Sequence, residues 1–448
     1  MARAAKKDYQ KEYLQIIRKL DGDEAGRAAA TQYLIEAYPH ENVDFSRWAT
    51  TPVIFDSSEL AILEDVATTF GSIMEKVMAK YHRDRSFRKL FALSPRVEEL
   101  TLVPSGCHAA VPLARVDLFF NRKTKDFKIC GVATGGVSGM AAATEIDRAV
   151  HLTNAFHVFS EQHPKIVSFD PVTACVEQLL HTYSTWANAE VGRNHPTKPA
   201  LAILDVKDSL RALETKRFID CLLNMGYYAR PTTFDQLHIK RVSNTEQLVD
   251  DNGPITCVWL RATADEAAQQ DENCVRALTR ATSHGLVCTI GGYRSWPCCT
   301  RSFMEVLRSK DCQILLSSAE NAFIDKHVPV THIIQAATDL SEFYDQENWT
   351  LKISDGRWAD GVVAGANLSK GAWRTRLVKS IKRHDAVQAY LEQQPMTVAY
   401  EGEHEMNVIL GVYVFGGKFS GVRACCGTGA TISDWKDRLE MDFITVVE

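Results

Sequence analysis

The sequence predicts an α+β chain, on three observations. Apolar residues recur at helical spacing through the first hundred positions. From Pro112 the period changes to two, and a second period-two stretch closes the chain after Met406. Between them, apolar strands alternate with helical segments over 198–292, the pattern of a covered parallel sheet.

In chain order, "SSELAILEDVATTFGSIMEKVMAKYHRD" begins with cap-type Ser57 and Ser58. It repeats Leu63, Val66, Phe70, Ile73 and Val77 on one helical face. "RSFRKLFALSP" ends this section at Pro95. "ARVDLFF" and "DFKICGVAT" read as two strands joined by the polar turn "NRKTK". "PVTACVEQLLHTYSTWANAE" is helical, and "RNHPTKP" reads as a linker. "ALAILDV", "GPITCVWLRAT" and "HGLVCTIGG" are apolar strands, with "LETKRFIDCLLNMGY" a helix among them. "RSFMEVLRS" and "SAENAFIDKHV" are helical. "NWTLKIS" and "GVVAG" are strands flanking the turn "DGRWAD". Ser369 caps the helix "KGAWRTRLVKSIKRH". "MNVILGVYVFGGKFSGVRAC" is a hairpin turning at Gly416-Gly417.

Composition sets bounds. Of 448 residues, 45% are hydrophobic and 24% charged, ordinary for a globular protein long enough for two to four packed units. The net charge of −5 gives no nucleic-acid footprint, and runs such as "KSIKRH" read as solvated helix faces. No apolar stretch approaches the roughly 20 residues of a membrane span, and "MARAAKKDYQKEYLQ" has no secretory apolar region. The twelve cysteines form no CxxC pair and no zinc spacing. They read as reduced, buried thiols of a cytoplasmic protein, and nothing in the sequence makes Cys107 or Cys130 reactive.

Chemistry concentrates on the first hairpin. Arg115 and Asp117 are two apart and share a strand face. A turn centred on Thr124 sets Asp117 opposite Gly131 and Arg115 opposite Ala133. By pattern alone such a pair is first a surface ion pair. Ser138 and Gly139, in "GGVSGM", open a helix whose N-terminal amides suit an anion, phosphate or substrate. His108 precedes the hairpin and reads as a loop or core histidine.

"GVATGGVSGM" resembles the second strand of the circularly permuted ATP-grasp family of the glutathionylspermidine synthase type, which usually reads like "EFNTDGSSGM". "YHRDRSFRKLFALSP", "ENAFIDKHVPVTHII", "NWTLKISDG" and "VILGVYVFGGKFSGVRA" resemble further family segments in the same order, over most of 80–425. The resemblance implies an α+β, circularly permuted ATP-grasp fold. It has a helical N-terminal section (1–100) and a core hairpin with helices (101–170). An inserted α/β preATP-grasp-like substrate domain (171–300) and a lid with C-terminal core (301–448) follow.

It also implies ATP, magnesium and amide formation through an acyl phosphate, run by metal ligands and cationic groups. By that resemblance Asp117 is a metal ligand and Arg115 holds the transferring group. Lys352 and Arg301 meet nucleotide phosphates, Arg301 standing with Thr300 where the family has an "NK" pair. Gln393 lies at the adenine hinge "YLEQQP", where Gln394 replaces a glutamate.

Departures cluster. Gly131 and Ala133 replace the expected Glu and Asn ligands, which leaves a poor magnesium site. The usual glycine loop, like "DGYGGKG", is "DGRWADG" here, with Arg357, Trp358, Ala359 and Asp360 where bare backbone should meet phosphates. The expectation is a non-catalytic family member with weak or absent ATP and magnesium binding. It would act as a binding subunit or as the partner of an intact homologue. The alternative is an active ligase for a small acid and amine, a polyamine or a peptide, with ligands relocated to Glu145 or Asp147. No nucleic acid and no membrane are expected as partners.

Overall fold

The computed structural model describes residues 7–37, 47–189, 195–209, 211–242, 245–354, 361–429, 432 and 438–447. Its centre is an antiparallel sheet in the spatial order Leu439–Met441, Lys418–Gly427, Glu403–Phe415, Leu113–Asn121, Asp126–Ala133. Met396–Ala399 pairs beside Glu403–Met406. The first hairpin and the C-terminal hairpin are thus neighbours, although almost 300 residues separate them.

Period-two patterning decides the faces of this sheet. Ala114, Val116, Leu118, Leu410, Val412, Val414, Val422 and Ala424 pack on one side, against the helix Ser57–Arg83. Leu63, Val66, Phe70, Ile73 and Val77 of that helix are fully buried there. The cap is Asp56 rather than Ser57 or Ser58. Its side chain accepts from the Glu59 amide, and Glu59 returns the bond to the Asp56 amide. On the other side Leu113, Tyr413 and Phe415 pack against the helices Met140–Val150 and Pro171–Asn188.

The stretch 198–292 contains the expected parallel sheet, ordered Cys288–Ile290, Cys257–Leu260, Leu201–Asp205, Ala229–Thr233. It also contains an antiparallel meander, His238–Val242, Thr245–Asp250 and Gly253–Ile255. "GPITCVWLRAT" therefore supplies two strands to two sheets. Its first half is bounded by Gly253 and Pro254, which suit an edge and not a buried parallel strand.

A third sheet, ordered Thr331–Ile333, Ala386–Ala389, Trp349–Lys352, Val362–Ala364, stands over the central one. The helix Lys370–Arg383, capped by Ser369, packs on it through Trp373 and Leu377. The segment Tyr390–Pro395 joins this sheet to the central one. One strand in the first hundred residues escaped the helical reading. Val53–Asp56 pairs in parallel with Phe443–Val446, so the two ends of the chain close one small sheet.

Candidate functional site

The hairpin register is the expected one, reached by a different route. The turn pairs Asn121 with Asp126, which alone would set Asp117 opposite Cys130. A bulge at Cys130 shifts the pairing by one, restoring Asp117 to Gly131 and Arg115 to Ala133. The next strand continues both rows. Gly131, Asp117, Gly411 and Arg423 stand side by side, as do Ala133, Arg115 and Tyr413.

These rows, Tyr413 excepted, line a cleft of about 930 Å3 between the central sheet, the third sheet and the parallel unit. Arg115, Asp117, Arg301, Lys352, Gln393 and Ser138 all line it, with Gly131 and Ala133. Tyr390, Leu391 and Gln393 bring the connecting segment to its wall. His108, Glu145 and Asp147 are not among its lining residues. The loop carrying Arg357, Trp358, Ala359 and Asp360 lies outside the described residues.

Within the cleft Asp117 is held by its own strand. Arg115 Nε donates to Asp117 Oδ1 at 2.6 Å and Nη2 to Oδ2 at 3.0 Å. Arg115 Nη1 donates to the Ser138 carbonyl at 2.8 Å, as does the Tyr413 hydroxyl at 3.1 Å. This is the bidentate fork that guanidinium and carboxylate favour. Burial works against the Arg115 charge, and Asp117 more than offsets it, so the guanidinium stays protonated. The fork lies flat across the sheet because the neighbouring residue is Gly411. A Cβ there would come within 2.8 Å of Arg115 Cδ and 3.0 Å of Asp117 Oδ1.

Opposite stand two cations. Lys352 is nine-tenths buried and donates to the Cys130 carbonyl at 2.6 Å, a carbonyl that the bulge turns toward it. Burial pulls the Lys352 ammonium down to about 8, with Arg301 adding to the fall. Arg301 precedes the helix Ser302–Val306, donates through Nε to the Ile353 carbonyl at 3.4 Å, and is pushed down by burial.

The cleft lining holds seven arginines and one lysine against two aspartates and one glutamate. Carboxylates behind the wall answer part of that excess. Glu440 takes a fork from Arg423, and its carboxyl is held down at about 2 by Arg423 and Arg438 against its own burial. Arg211 is shared by Asp205 behind the wall (2.5 Å) and by Glu266 of the lining (2.8 Å). The surplus of cations makes the cleft an anion-seeking surface.

The helix start at Ser138 and Gly139 is occupied from within. Glu214 Oε1 accepts from the Ala141 amide at 3.0 Å, and its other oxygen pairs with fully buried Arg261. Gly139 has φ +89°, and a Cβ on it would come within 2.4 Å of Arg423 Cδ. Glu145 is engaged elsewhere, by Tyr33 at 2.5 Å and Arg148 at 2.8 Å.

As a magnesium site this arrangement does not fit. Both Asp117 oxygens are taken by Arg115, and the facing positions carry no ligand atoms on their side chains. Among the described residues no group of three His, Cys, Asp or Glu side chains could hold a metal ion.

Sequence reasoning missed Arg423, Arg211, Tyr413 and Glu440. A signal existed for Tyr413. Counting back from the Gly416-Gly417 turn puts Tyr413 on the face of Gly411, but it sets Arg423 opposite Leu410 on the core face, and only the irregularity between Val412 and Val414 brings Arg423 beside Gly411. Arg211 and Glu440 carry no such local signal.

No protein-family model matches the chain, and no curated protein is similar to it by sequence. By structure it is similar to a glutathione synthetase-like effector from Globodera pallida in its apo form. The TM-score is 0.61 at 13% identity, over 99% of this chain and 98% of that one. The chain therefore shares the fold of that protein over nearly its whole length. Two weaker likenesses follow. A γ-glutamylcysteine synthetase-type protein of Methylobacillus flagellatus has TM-score 0.38 at 10% identity, over 84% and 88% of the two chains. A D-alanyl-alanine synthetase A of Vibrio cholerae has TM-score 0.29 at 9%, over 56% and 89%. No described helix is long and apolar enough to cross a membrane.

Proposed function

We propose that the chain is an ATP-grasp ligase homologue of the circularly permuted glutathionylspermidine synthase type whose cleft binds an anion but no longer runs magnesium-dependent ligation. It acts as a binding protein or as the partner of an intact homologue. The observation that carries this reading is the closed Arg115–Asp117 fork facing Gly131 and Ala133. An acyl-phosphate ligase needs metal ions to neutralise the phosphates it transfers. Here the carboxylate at that position neutralises an arginine instead.

Order along the chain supports the permuted reading. Two core strands (113–133) come before the third sheet, which serves as the lid, and the remaining core strands follow it. The proposed units are 1–100, 101–170, 171–300 and 301–448, the third being the substrate domain. Lys352, Arg301 and Gln393 are proposed nucleotide-side residues and Arg115 the substrate side, while the helix start at Ser138 and Gly139, taken by Glu214, is dropped as an anion site. A small acid or a peptide suits the cationic lining, and the glutathione synthetase-like neighbour points to the same class.

The test is calorimetric. Wild type is titrated with ATP, with and without Mg2+, beside the variant Gly131→Glu/Ala133→Asn. A Cβ on Gly131 would sit 3.7 Å from Asp117 Oδ2, in ordinary contact, so the restored carboxylate has room next to its partner. Magnesium-dependent heat should be negligible in wild type and appear in the variant. Tight magnesium-dependent binding by wild type, or ADP release with any acid and amine, would overturn the proposal and leave the active ligase with relocated ligands.

A further inference from the structure

Away from the cleft, two cysteines 181 residues apart meet. Cys107 lies in the loop between the helix Pro95–Thr101 and the first core strand, and Cys288 opens the edge strand of the parallel sheet. Their Sγ atoms are 3.8 Å apart, and Cys107 Sγ lies 3.6 Å from the Thr289 carbonyl. A small cavity of about 30 Å3 reaches Cys107, lined also by Ser105, Thr289 and Arg294. That is room for a molecule of a few atoms. Arg294 donates to the Val103 carbonyl at 3.3 Å and holds this loop near the sheet.

We propose that Cys107 and Cys288 are a redox-closable pair, oxidised by a small peroxide entering the cavity to a disulfide that ties the core hairpin's approach loop to the parallel unit. The geometry asks little. The sulfurs must close from 3.8 Å to about 2.05 Å, a change that side-chain rotation and a small loop shift supply. Cys257, the register partner of Cys288 on the adjacent strand, is a third thiol near the pair, and it is fully buried. Three thiols in a row raise the question of a metal, but no such group is formed among the described residues.

The chemistry balances. The Cys107 sulfur attacks the O–O bond of hydrogen peroxide, giving the sulfenic acid and one water. The Cys288 sulfur then displaces the hydroxyl as a second water. Two thiols lose two electrons and the two peroxide oxygens gain them. The contact with Cys288 and burial both push the Cys107 thiol up, while Arg294 pulls it down. Thiolate is therefore scarce and the reaction is slow. The proposal is independent of what the cleft binds.

The experiment treats the full chain with millimolar hydrogen peroxide, blocks remaining thiols, and maps cross-links by mass spectrometry. A Cys107–Cys288 peptide pair should form, vanish in Cys107→Ser, and revert with dithiothreitol. In Cys288→Ser, Cys107 should instead be trapped as a dimedone adduct. Closing so long a loop should raise the melting midpoint of the oxidised wild type by about 5 °C. A Cys257–Cys288 link, or Cys107 remaining alkylatable while other thiols oxidise, would refute the assignment.

Discussion

Lys352 should cost the protein stability, and removing it should reveal how much. Its ammonium is nine-tenths buried, with the Cys130 carbonyl as hydrogen-bond acceptor and Arg301 nearby. Burial first, then Arg301, bring it from 10.5 to about 8, which corresponds to roughly 3 kcal/mol of disfavoured charge. Lys352→Met keeps the volume and removes the charge. It loses one hydrogen bond of about 1 kcal/mol. The net expectation is a gain of about 2 kcal/mol at pH 7.

The pH sign follows from linkage. Between the folded value near 8 and the unfolded value near 10.5, the unfolded chain holds more protons, so wild-type stability rises with pH. The advantage of the variant should therefore be full below about pH 8 and shrink by roughly 1.4 kcal/mol per pH unit above it. Urea unfolding of both proteins at pH 7 and pH 9.5 measures this directly, since other titrating groups cancel in the difference. A variant less stable than wild type at pH 7, or a gap unchanged by pH, would show that Lys352 is not a desolvated cation. A cation kept at such a cost is what an anion site needs, because binding the anion relieves the penalty.

Other expectations concern the walls of the same cleft. Arg115→Met leaves Asp117 without its fork and should lower stability by about 3 kcal/mol, whereas Arg115→Met/Asp117→Leu should recover most of it in the same urea titration. Gly139→Ala forces a side chain onto a φ of +89° and into Arg423, and should cost about 2 kcal/mol or more by thermal melting. If Gly139→Ala melts like wild type, the helix start is looser than its packing implies.

Much of this site was legible because it is local in the chain. Period two puts Arg115 with Asp117 and Gly131 with Ala133 on shared faces, whatever surrounds them. The same rule, counted from Gly416-Gly417, misplaced Arg423 on the core face, because a second irregularity between Val412 and Val414 shifts the pairing by one. Helix Ser57–Arg83 announced its buried face by its spacing alone, and only the cap moved, to Asp56. The bulge at Cys130 was not legible. A bulge is one residue of slack in a ladder, and the strand on the far side selects it by turning the Cys130 carbonyl toward Lys352, 222 positions away.

What the sequence determined by itself is the set of groups that each strand and helix presents, since side-chain direction repeats with the backbone period. What only the tertiary structure decided is which charge answers which. Glu214 takes the Ala141 amide of the helix start that the sequence offers at Ser138 and Gly139, from 73 residues further along the chain. Glu440 fixes Arg423, and Val53–Asp56 finds its strand partner at Phe443–Val446. A buried charge must be answered by whatever the fold brings within reach, and reach in space is set by packing among distant segments, not by spacing along the chain.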